Sequence, residues 1–143
     1  MPGMIERKYG RIINVASLAG LIPPPAGHTL YPASKAFVIS FSEALAEETA
    51  RRQDVHVTAL CPGFTYSEFH DVTSTRDLMN KLPRFMWSDA RTVAEAGYDA
   101  VMEGRTIVVP GRLNRVIAWV GRHAPGFFAM FQRRYSWSYR RTD

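Results

Sequence analysis

Residues 12–35 read IINVASLAGLIPPPAGHTLYPASK. Four of the first six residues are apolar and three are β-branched, which predicts a buried parallel strand that ends in a polar turn at Ser17. Three consecutive prolines then predict a loop, because proline fits neither a helix interior nor a central strand. A helix follows, and Tyr31 and Lys35 lie on one face of it because they are four residues apart. Open α/β sheets bind ligands beyond the carboxyl ends of their strands, so this stretch predicts a hydroxyl, a phenol and an ammonium at one end of a sheet.

Three motifs of the chain resemble those of the short-chain dehydrogenase/reductase family, and they occur in the family's order. They are Asn14-Val15-Ala16-Ser17 with Gly20 three residues later, the Tyr-x-x-x-Lys of Tyr31 and Lys35, and Cys61-Pro62-Gly63 followed by Ser67-Glu68-Phe69. The sequence contains no Gly-rich dinucleotide-binding motif. The resemblance therefore implies the C-terminal half of such a domain, in a chain that begins in mid-domain.

The resemblance implies an α/β protein with a truncated Rossmann-like, three-layer α/β/α fold, a short parallel sheet of about three strands and a helical C-terminal tail. We expect residues 1–112 to form the C-terminal half of the Rossmann domain and residues 113–143 to form a basic, aromatic-rich tail. Hydrophobic periodicity predicts strands at 11–16, 55–61 and 106–111, helices at 31–52 and 88–103, and an irregular helical segment at 113–141.

Apolar stripes mark two of these helices. The first consists of Phe37, Phe41 and Leu45, and the second of Leu113, Val116, Ile117 and Val120. Such a stripe typically faces the core of a globular protein. By resemblance, helix 31–52 also contributes to a homo-oligomer interface, and residues 64–87 correspond to a substrate lid.

The resemblance implies NAD(P)-dependent hydride transfer on a carbonyl or alcohol substrate. It assigns Tyr31 as general acid/base, Lys35 as the group that tunes the phenol and binds the nicotinamide ribose, and Ser17 as the group that orients the substrate oxygen. These residue types suit the chemistry, because an ammonium favours a neighbouring phenolate and a hydroxyl stabilises charge on an oxygen. The simpler interpretation is a solvated helix pair and a serine that caps a loop.

The cofactor, NAD or NADP, is implied by the resemblance as well. It would meet Tyr31, Lys35, Pro62, Gly63, Thr65 and Ser67. A plain loop is the alternative for the last four. The pyrophosphate-binding turn lies outside the motifs of this chain, so the sequence predicts only the nicotinamide end of a cofactor site.

No metal site is predicted, because His28, His56, His70 and Cys61 lack metal-ligand spacing. We expect Cys61 to be buried and inert, and Asn14 to be a structural residue at the strand end. A single cysteine offers no disulfide framework and favours a reducing compartment. No signal peptide and no run of about 18 apolar residues is present, which favours a cytoplasmic protein.

The positive charge of the chain belongs to its tail. The formal net charge is +5, and residues 111–143 carry seven arginines against one aspartate. The tail has three interpretations: it packs on the sheet, it lies on an anionic membrane surface, or it binds nucleic acid. We disfavour nucleic acid, because no recognition motif accompanies the arginines.

Two function hypotheses from different classes follow. The first is a short-chain oxidoreductase, acting on an apolar or lipid-like ketone or alcohol. The second is a non-catalytic fragment of that family that acts by pairing, through helix 31–52 or an open strand edge, or by membrane contact through residues 113–143.

Overall fold

The computed structural model describes residues 1–25, 29–51, 54–66 and 83–136, the last six of them for their backbone alone. In chain order the elements are α1 (Pro2–Glu6), β1 (Tyr9–Val15), a 3-10 helix (Leu18–Gly20), α2 (Leu30–Thr49), β2 (Asp54–Leu60), β3 (Phe64–Tyr66), a second 3-10 helix (Arg84–Met86), β4 (Trp87–Asp89), α3 (Ala90–Met102), β5 (Ile107–Val108), α4 (Arg112–His123) and α5 (Pro125–Ser136). A parallel sheet of three strands has the order β1-β2-β5, and β3 and β4 form a separate parallel pair.

Helices cover both faces of the three-stranded sheet. On one face, Ala59 and Cys61 pack in a cluster with Ile39 of α2. On the other face, Leu60 packs with Val93 of α3. Successive strand residues point to opposite faces, so the apolar run of β2 supplies both clusters. This arrangement confirms the predicted three-layer α/β/α fold with a short parallel sheet.

The strands β1 and β2 end at the same level. They pair in parallel along their whole length, from Tyr9 opposite Asp54 to Val15 opposite Leu60. The pairing continues one step further, because the backbone N–H of Ala16 donates to the Leu60 carbonyl at 2.8 Å. The loops that follow the two strands therefore leave the sheet at one edge. Among the described residues, β2 is the only strand that pairs with β1.

The apolar stripe predicted for α2 does not face the core. Phe37 and Phe41 are 68% and 50% exposed, and their rings stack with centroids 6.1 Å apart. The buried positions of the helix are instead Pro32, Ile39, Ser42 and Thr49. Two of these four are hydroxyl residues that bond back to carbonyls within the helix. Small side chains let this helix lie close to the sheet, which leaves its large aromatic residues on the outer face.

Helix α3 begins and ends with well-defined caps. The Asp89 carboxylate accepts from the Thr92 backbone N–H at 2.8 Å. At the other end Gly104 has a φ of +72°, and the backbone N–H of Arg105 donates to the Ala100 carbonyl at 2.9 Å. This is the Schellman arrangement that glycine makes possible without steric strain.

The described part of the C-terminal tail, up to residue 136, consists of two helices, the second of which begins at Pro125. The predicted stripe of α4 is divided between two environments, because Ile117 and Val120 are half-buried whereas Leu113 and Val116 are 42% and 59% exposed. The residues that α4 buries are Asn114 and Gly121. The third strand is also shorter than predicted, since β5 spans Ile107–Val108 only.

The segment predicted as a substrate lid is described only at its two ends. These ends pair as β3 and β4, where Tyr66 and Trp87 stack with ring centroids 4.7 Å apart. Residues 67–82 lie outside the described part of the chain.

Candidate active site

The candidate site lies where β1 and β2 end. Ser17 follows β1 by two residues, and Pro62 follows β2 by two residues. The two loops are joined directly, because the backbone N–H of Leu18 donates to the Pro62 carbonyl at 2.9 Å. Two of the sequence motifs therefore meet at the carboxyl edge of the sheet, where α/β folds place their ligands.

The third motif reaches the same edge from α2. Tyr31 and Pro32 lie in the first turn of that helix, where proline is tolerated because its missing N–H would have no helical partner. The ammonium of Lys35 donates to the carbonyl of Val15, the last residue of β1, at 3.1 Å. It also lies 5.8 Å from the centroid of the Tyr31 ring. The phenol and the ammonium thus share one helix face beside the strand end, as the spacing predicted.

The Ser17 hydroxyl caps the short helix that follows it. Its Oγ accepts from the backbone N–H of Ala19 at 3.2 Å. This is the capping role of the simpler interpretation. A hydroxyl that accepts a hydrogen bond still has its own O–H to donate, so capping leaves Ser17 able to donate to a substrate oxygen. Its catalytic role stays a prediction.

Gly20 holds the serine loop against the lysine helix. A Cβ at this position would lie 2.7 Å from both the Ala36 nitrogen and the Lys35 carbonyl carbon. Only glycine allows the two backbones to approach this closely. The glycine of the first motif therefore sets the distance between the loop that carries Ser17 and the helix that carries Lys35.

The residues predicted to line the nicotinamide follow β2. The Thr65 hydroxyl donates to the Gly63 carbonyl at 3.2 Å, which stabilises the turn that leads into β3. Ser67, the remaining predicted cofactor residue, lies outside the described residues. The roles of Pro62, Gly63 and Thr65 toward a cofactor stay predictions.

Asn114 is a residue of this region that the sequence did not reveal. It is buried, its Nδ2 donates to the Pro110 carbonyl at 2.8 Å, and a Cβ on Gly63 would lie 2.6 Å from its amide atoms. Its side chain therefore occupies the space beside Gly63. The only sequence signal was its spacing of seven residues from Gly121, which places both on one face of α4.

The groups at this edge fit one end of a dinucleotide. An ammonium and a phenol are donors that suit ribose hydroxyls. The Thr65 hydroxyl is already bonded to the Gly63 carbonyl, so the predicted contact of this residue with a carboxamide is through its backbone. Pyrophosphate groups bind where a glycine-rich turn leads into the N-terminus of a helix. The described ranges contain no such turn. The predicted contacts of Lys35 and Tyr31 with a nicotinamide ribose are compatible with these donors and stay predictions.

Cys61 lies beneath the site and takes no part in its surface. The residue is fully buried, and burial raises the pKa of its thiol from 9.0 to about 12. The predicted burial of Cys61 is confirmed. A thiol held in its neutral form is a poor nucleophile, so the raised pKa agrees with the prediction that Cys61 is inert. Asn14 has a structural role as well, because its Nδ2 donates to the Ser42 hydroxyl at 2.9 Å.

His56 and a surface cavity lie apart from this edge. His56 is near the start of β2, where its ring nitrogen contacts the Val101 carbonyl at 3.0 Å. A surface cavity of about 130 Å³ opens there, between the end of α2 and β2. His28 and His70 lie outside the described residues. Within the described ranges no group of three His, Cys, Asp or Glu side chains is placed to hold a metal ion.

Comparison with known proteins agrees with the motifs and the fold. The family model for short chain dehydrogenase matches residues 1–77. Nodulation protein G of Rhizobium meliloti is 39% identical over 122 residues, which is 79% of this chain and 49% of the relative. A 3-oxoacyl-(acyl-carrier-protein) reductase of Bos taurus is 32% identical over 115 residues, which is 78% of this chain and 48% of the relative. The chain thus spans about half the length of these curated relatives.

Solved structures show the same fold at lower identity. A short-chain dehydrogenase from Sphingobium yanoikuyae in complex with NADPH superimposes with a TM-score of 0.67 at 21% identity, over 99% of this chain and 50% of that one. A short-chain dehydrogenase/reductase from Burkholderia phymatum in complex with NAD has a TM-score of 0.67 at 23% identity, over 83% of this chain and 49% of that one. The family model covers more than half of the sequence, and the chain therefore belongs to the short chain dehydrogenase family.

Proposed function

We propose that the chain carries the catalytic half of an NAD(P)-dependent reductase that converts a carbonyl group to an alcohol. The observation that carries this proposal is the position of the Lys35 ammonium. It is hydrogen-bonded to the end of β1 and lies beside the Tyr31 ring, at the sheet edge that also holds Ser17. The motifs of the sequence and the membership of the family support the same activity.

In the proposed reaction the side chains of this chain manage the charge on the substrate oxygen. The Ser17 hydroxyl donates a hydrogen bond to that oxygen and orients it. The Tyr31 phenol donates its proton to the oxygen as the alcohol forms, and the Lys35 ammonium stabilises the phenolate that remains. Water then returns a proton to Tyr31. A bound NADPH or NADH supplies the hydride that the carbonyl carbon receives.

The cofactor would be held at its nicotinamide end. Lys35 and Tyr31 would meet the ribose hydroxyls, while the segment with Pro62, Gly63 and Thr65 would face the nicotinamide. Both NADP(H) and NAD(H) are candidates, since one of the solved structures described above contains NADPH and the other contains NAD.

For the substrate we propose a 3-oxoacyl thioester or a similar apolar ketone. Relatives that are named as 3-oxoacyl-carrier-protein reductases support this class. The aromatic pair Tyr66 and Trp87, which stands in the strand pair directly after Gly63, offers an apolar surface next to the site. A location in the reducing cytoplasm is part of the same proposal and fits the single buried cysteine.

Turnover of NADPH with a short 3-oxoacyl thioester tests the proposal. We expect the chain to oxidise NADPH in the presence of the thioester, and Tyr31→Phe to reduce kcat by about 10²–10⁴, the usual contribution of a general acid. Tyr98→Phe is the matched control, because Tyr98 is an exposed tyrosine on α3. The proposal fails if the wild-type chain shows no thioester-dependent oxidation, or if Tyr31→Phe is as active as Tyr98→Phe.

A further inference from the structure

The helix α4 is fixed to the body of the protein by one narrow face. Asn114 and Gly121, two turns apart, are its buried residues. Gly121 lies directly against Ile22, since a Cβ on that glycine would be 2.7 Å from the Ile22 Cγ2 atom. These contacts decide which side of the helix is turned to solvent.

The side that faces solvent carries large apolar residues. Leu113, Val116 and Trp119 follow one another at intervals of three and are 42%, 59% and 62% exposed. Helix α5 adds Phe127 and Met130, again three residues apart and 62% and 63% exposed. We name these five residues the apolar row. Residues three apart on a helix are neighbours, so Leu113, Val116 and Trp119 form a contiguous exposed apolar strip on α4, and contiguous apolar strips mark interaction surfaces.

Arginines accompany the apolar row. Arg112, Arg115 and Arg122 are exposed on α4, and the sequence has no Asp or Glu between residues 111 and 136. In the described part of the chain these three guanidinium groups have no hydrogen-bond or ion-pair partner. Trp119 stands among them and stacks on His123 with ring centroids 4.9 Å apart. The surface therefore combines unpaired positive charge with apolar side chains.

We propose that the apolar row and these arginines form a docking surface for an anionic phospholipid membrane. Amphipathic helices that are rich in arginine, aliphatic residues and tryptophan typically lie in the headgroup region of a bilayer, with tryptophan at the membrane–water interface. The charge argues against a second copy of the chain, because arginines would then face arginines. The exposed Leu113, Val116 and Met130 favour a membrane over nucleic acid, because aliphatic side chains gain from entering an apolar phase and offer no stacking surface to bases.

The membrane contact is peripheral. Among the described helices none is long and apolar enough to cross a bilayer. The apolar row would enter the boundary between headgroups and acyl chains, while the arginines would contact phosphate groups. Such a position would bring an apolar substrate and the protein to the same surface, although the docking surface itself does not depend on catalysis.

Co-sedimentation with lipid vesicles tests the proposal on the whole chain without any measurement of turnover. We expect binding to vesicles of phosphatidylcholine mixed with phosphatidylserine, and much weaker binding to phosphatidylcholine alone. Each arginine near an anionic surface contributes roughly a fivefold factor, so the triple variant Arg112→Gln, Arg115→Gln, Arg122→Gln should lower the partition coefficient about a hundredfold. Raising the salt to about 1 M should have a similar effect, because the Debye length falls from about 10 to about 3 Å.

Two further variants separate a docking surface from a general effect of charge. The control is a second triple variant, Lys8→Gln, Arg51→Gln, Arg84→Gln, which removes the same charge from exposed positions elsewhere. It should lower vesicle binding far less than the triple variant of α4. Val116→Gln keeps the charge, removes an exposed apolar side chain and should lower binding roughly tenfold. Circular dichroism verifies that each variant is folded.

Three results would overturn the proposal. The first is no binding to the anionic vesicles. The second is an equal loss in the two charge variants, which would mean that only net charge matters. The third is binding to single-stranded DNA, or self-association, that is stronger than vesicle binding and that the Arg112→Gln, Arg115→Gln, Arg122→Gln variant abolishes. Turnover of the wild-type chain is unaffected by any of these outcomes, so the proposed enzymatic function stands or falls separately.

Discussion

The substitution Gly20→Ala is the sharpest test of how the site is assembled. A methyl group at this position would lie 2.7 Å from backbone atoms of Lys35 and Ala36, whereas ordinary contacts begin at 3.4 Å. The loop after Ser17 and the first turns of α2 must therefore separate by about 0.7 Å, the difference between these two distances. Because both contacts are with backbone atoms, no side-chain rotation can relieve them.

The stability cost of Gly20→Ala follows from two opposing effects. Overpacking of this kind costs about 1–3 kcal/mol. Replacing glycine by alanine restricts the unfolded chain and returns about 0.4–1 kcal/mol. We expect a net destabilisation of about 1–2 kcal/mol, which lowers the midpoint of urea unfolding by roughly 0.5–1 M for a slope of about 1–3 kcal/mol/M.

Gly20→Ala should also reduce the proposed activity more than its effect on stability would suggest. It moves the Lys35 backbone relative to the Ser17 loop, and a misplacement of about 1 Å can cost about 10²-fold in rate. Urea unfolding followed by circular dichroism measures the first effect, and NADPH oxidation at a temperature where the variant is folded measures the second.

Gly126→Ala is the matched control for this experiment. A Cβ at Gly126 meets no atom within 4 Å, and the residue lies in the first turn of α5. Alanine should be neutral there or stabilise the protein by up to about 1 kcal/mol. If Gly20→Ala unfolds at the same urea concentration as wild type and keeps its activity, the close contact between the serine loop and α2 is not a feature of the folded protein.

Three other predictions follow from the structure. Between about pH 9 and pH 12 the wild-type protein should lose free energy of unfolding relative to Cys61→Ala, because the unfolded thiol ionises near a pKa of 9.0 while the buried thiol keeps its proton up to a pKa of about 12. The expected loss is about 1.4 kcal/mol per pH unit, and a difference between the two proteins that is constant with pH would contradict it. Asn114→Ala should cost about 1–3 kcal/mol in urea unfolding, because it leaves the buried Pro110 carbonyl without its donor, and an unchanged midpoint would refute this role. We propose that the exposed stack of Phe37 and Phe41 joins α2 to a second copy, so Phe41→Glu should convert a dimer to a monomer in sedimentation velocity, whereas identical profiles would exclude this interface.

Local patterns were sufficient to predict the central elements of the fold. The β-branched run before Ser17 predicted β1, and the spacing of Tyr31 and Lys35 predicted that both groups share one face of α2. Both predictions rest on the backbone periods of strands and helices, which the sequence displays directly. The motif order then indicated the family, because three short patterns in sequence are far more specific than any one of them.

Features that depend on distant contacts could not be predicted in the same way. The stripe of Phe37 and Phe41 has the period of a core-facing surface, but which face of a helix meets the sheet depends on how closely the two can approach. The burial of Asn114 depends on the space beside Gly63, more than 50 residues earlier in the chain. The pairing of β3 with β4 joins two three-residue strands that are too short to show a period.

A double-variant measurement of NADPH oxidation tests most directly whether Ser17 and Tyr31 act on one carbonyl oxygen. Residues that act as a unit give losses that are far from additive. We therefore expect Ser17→Ala and Tyr31→Phe each to reduce kcat, and the double variant to be no slower than the worse single variant within about threefold. A double variant whose loss is the product of the two single losses would show that the groups act independently, and single variants with wild-type rates would show that neither group takes part.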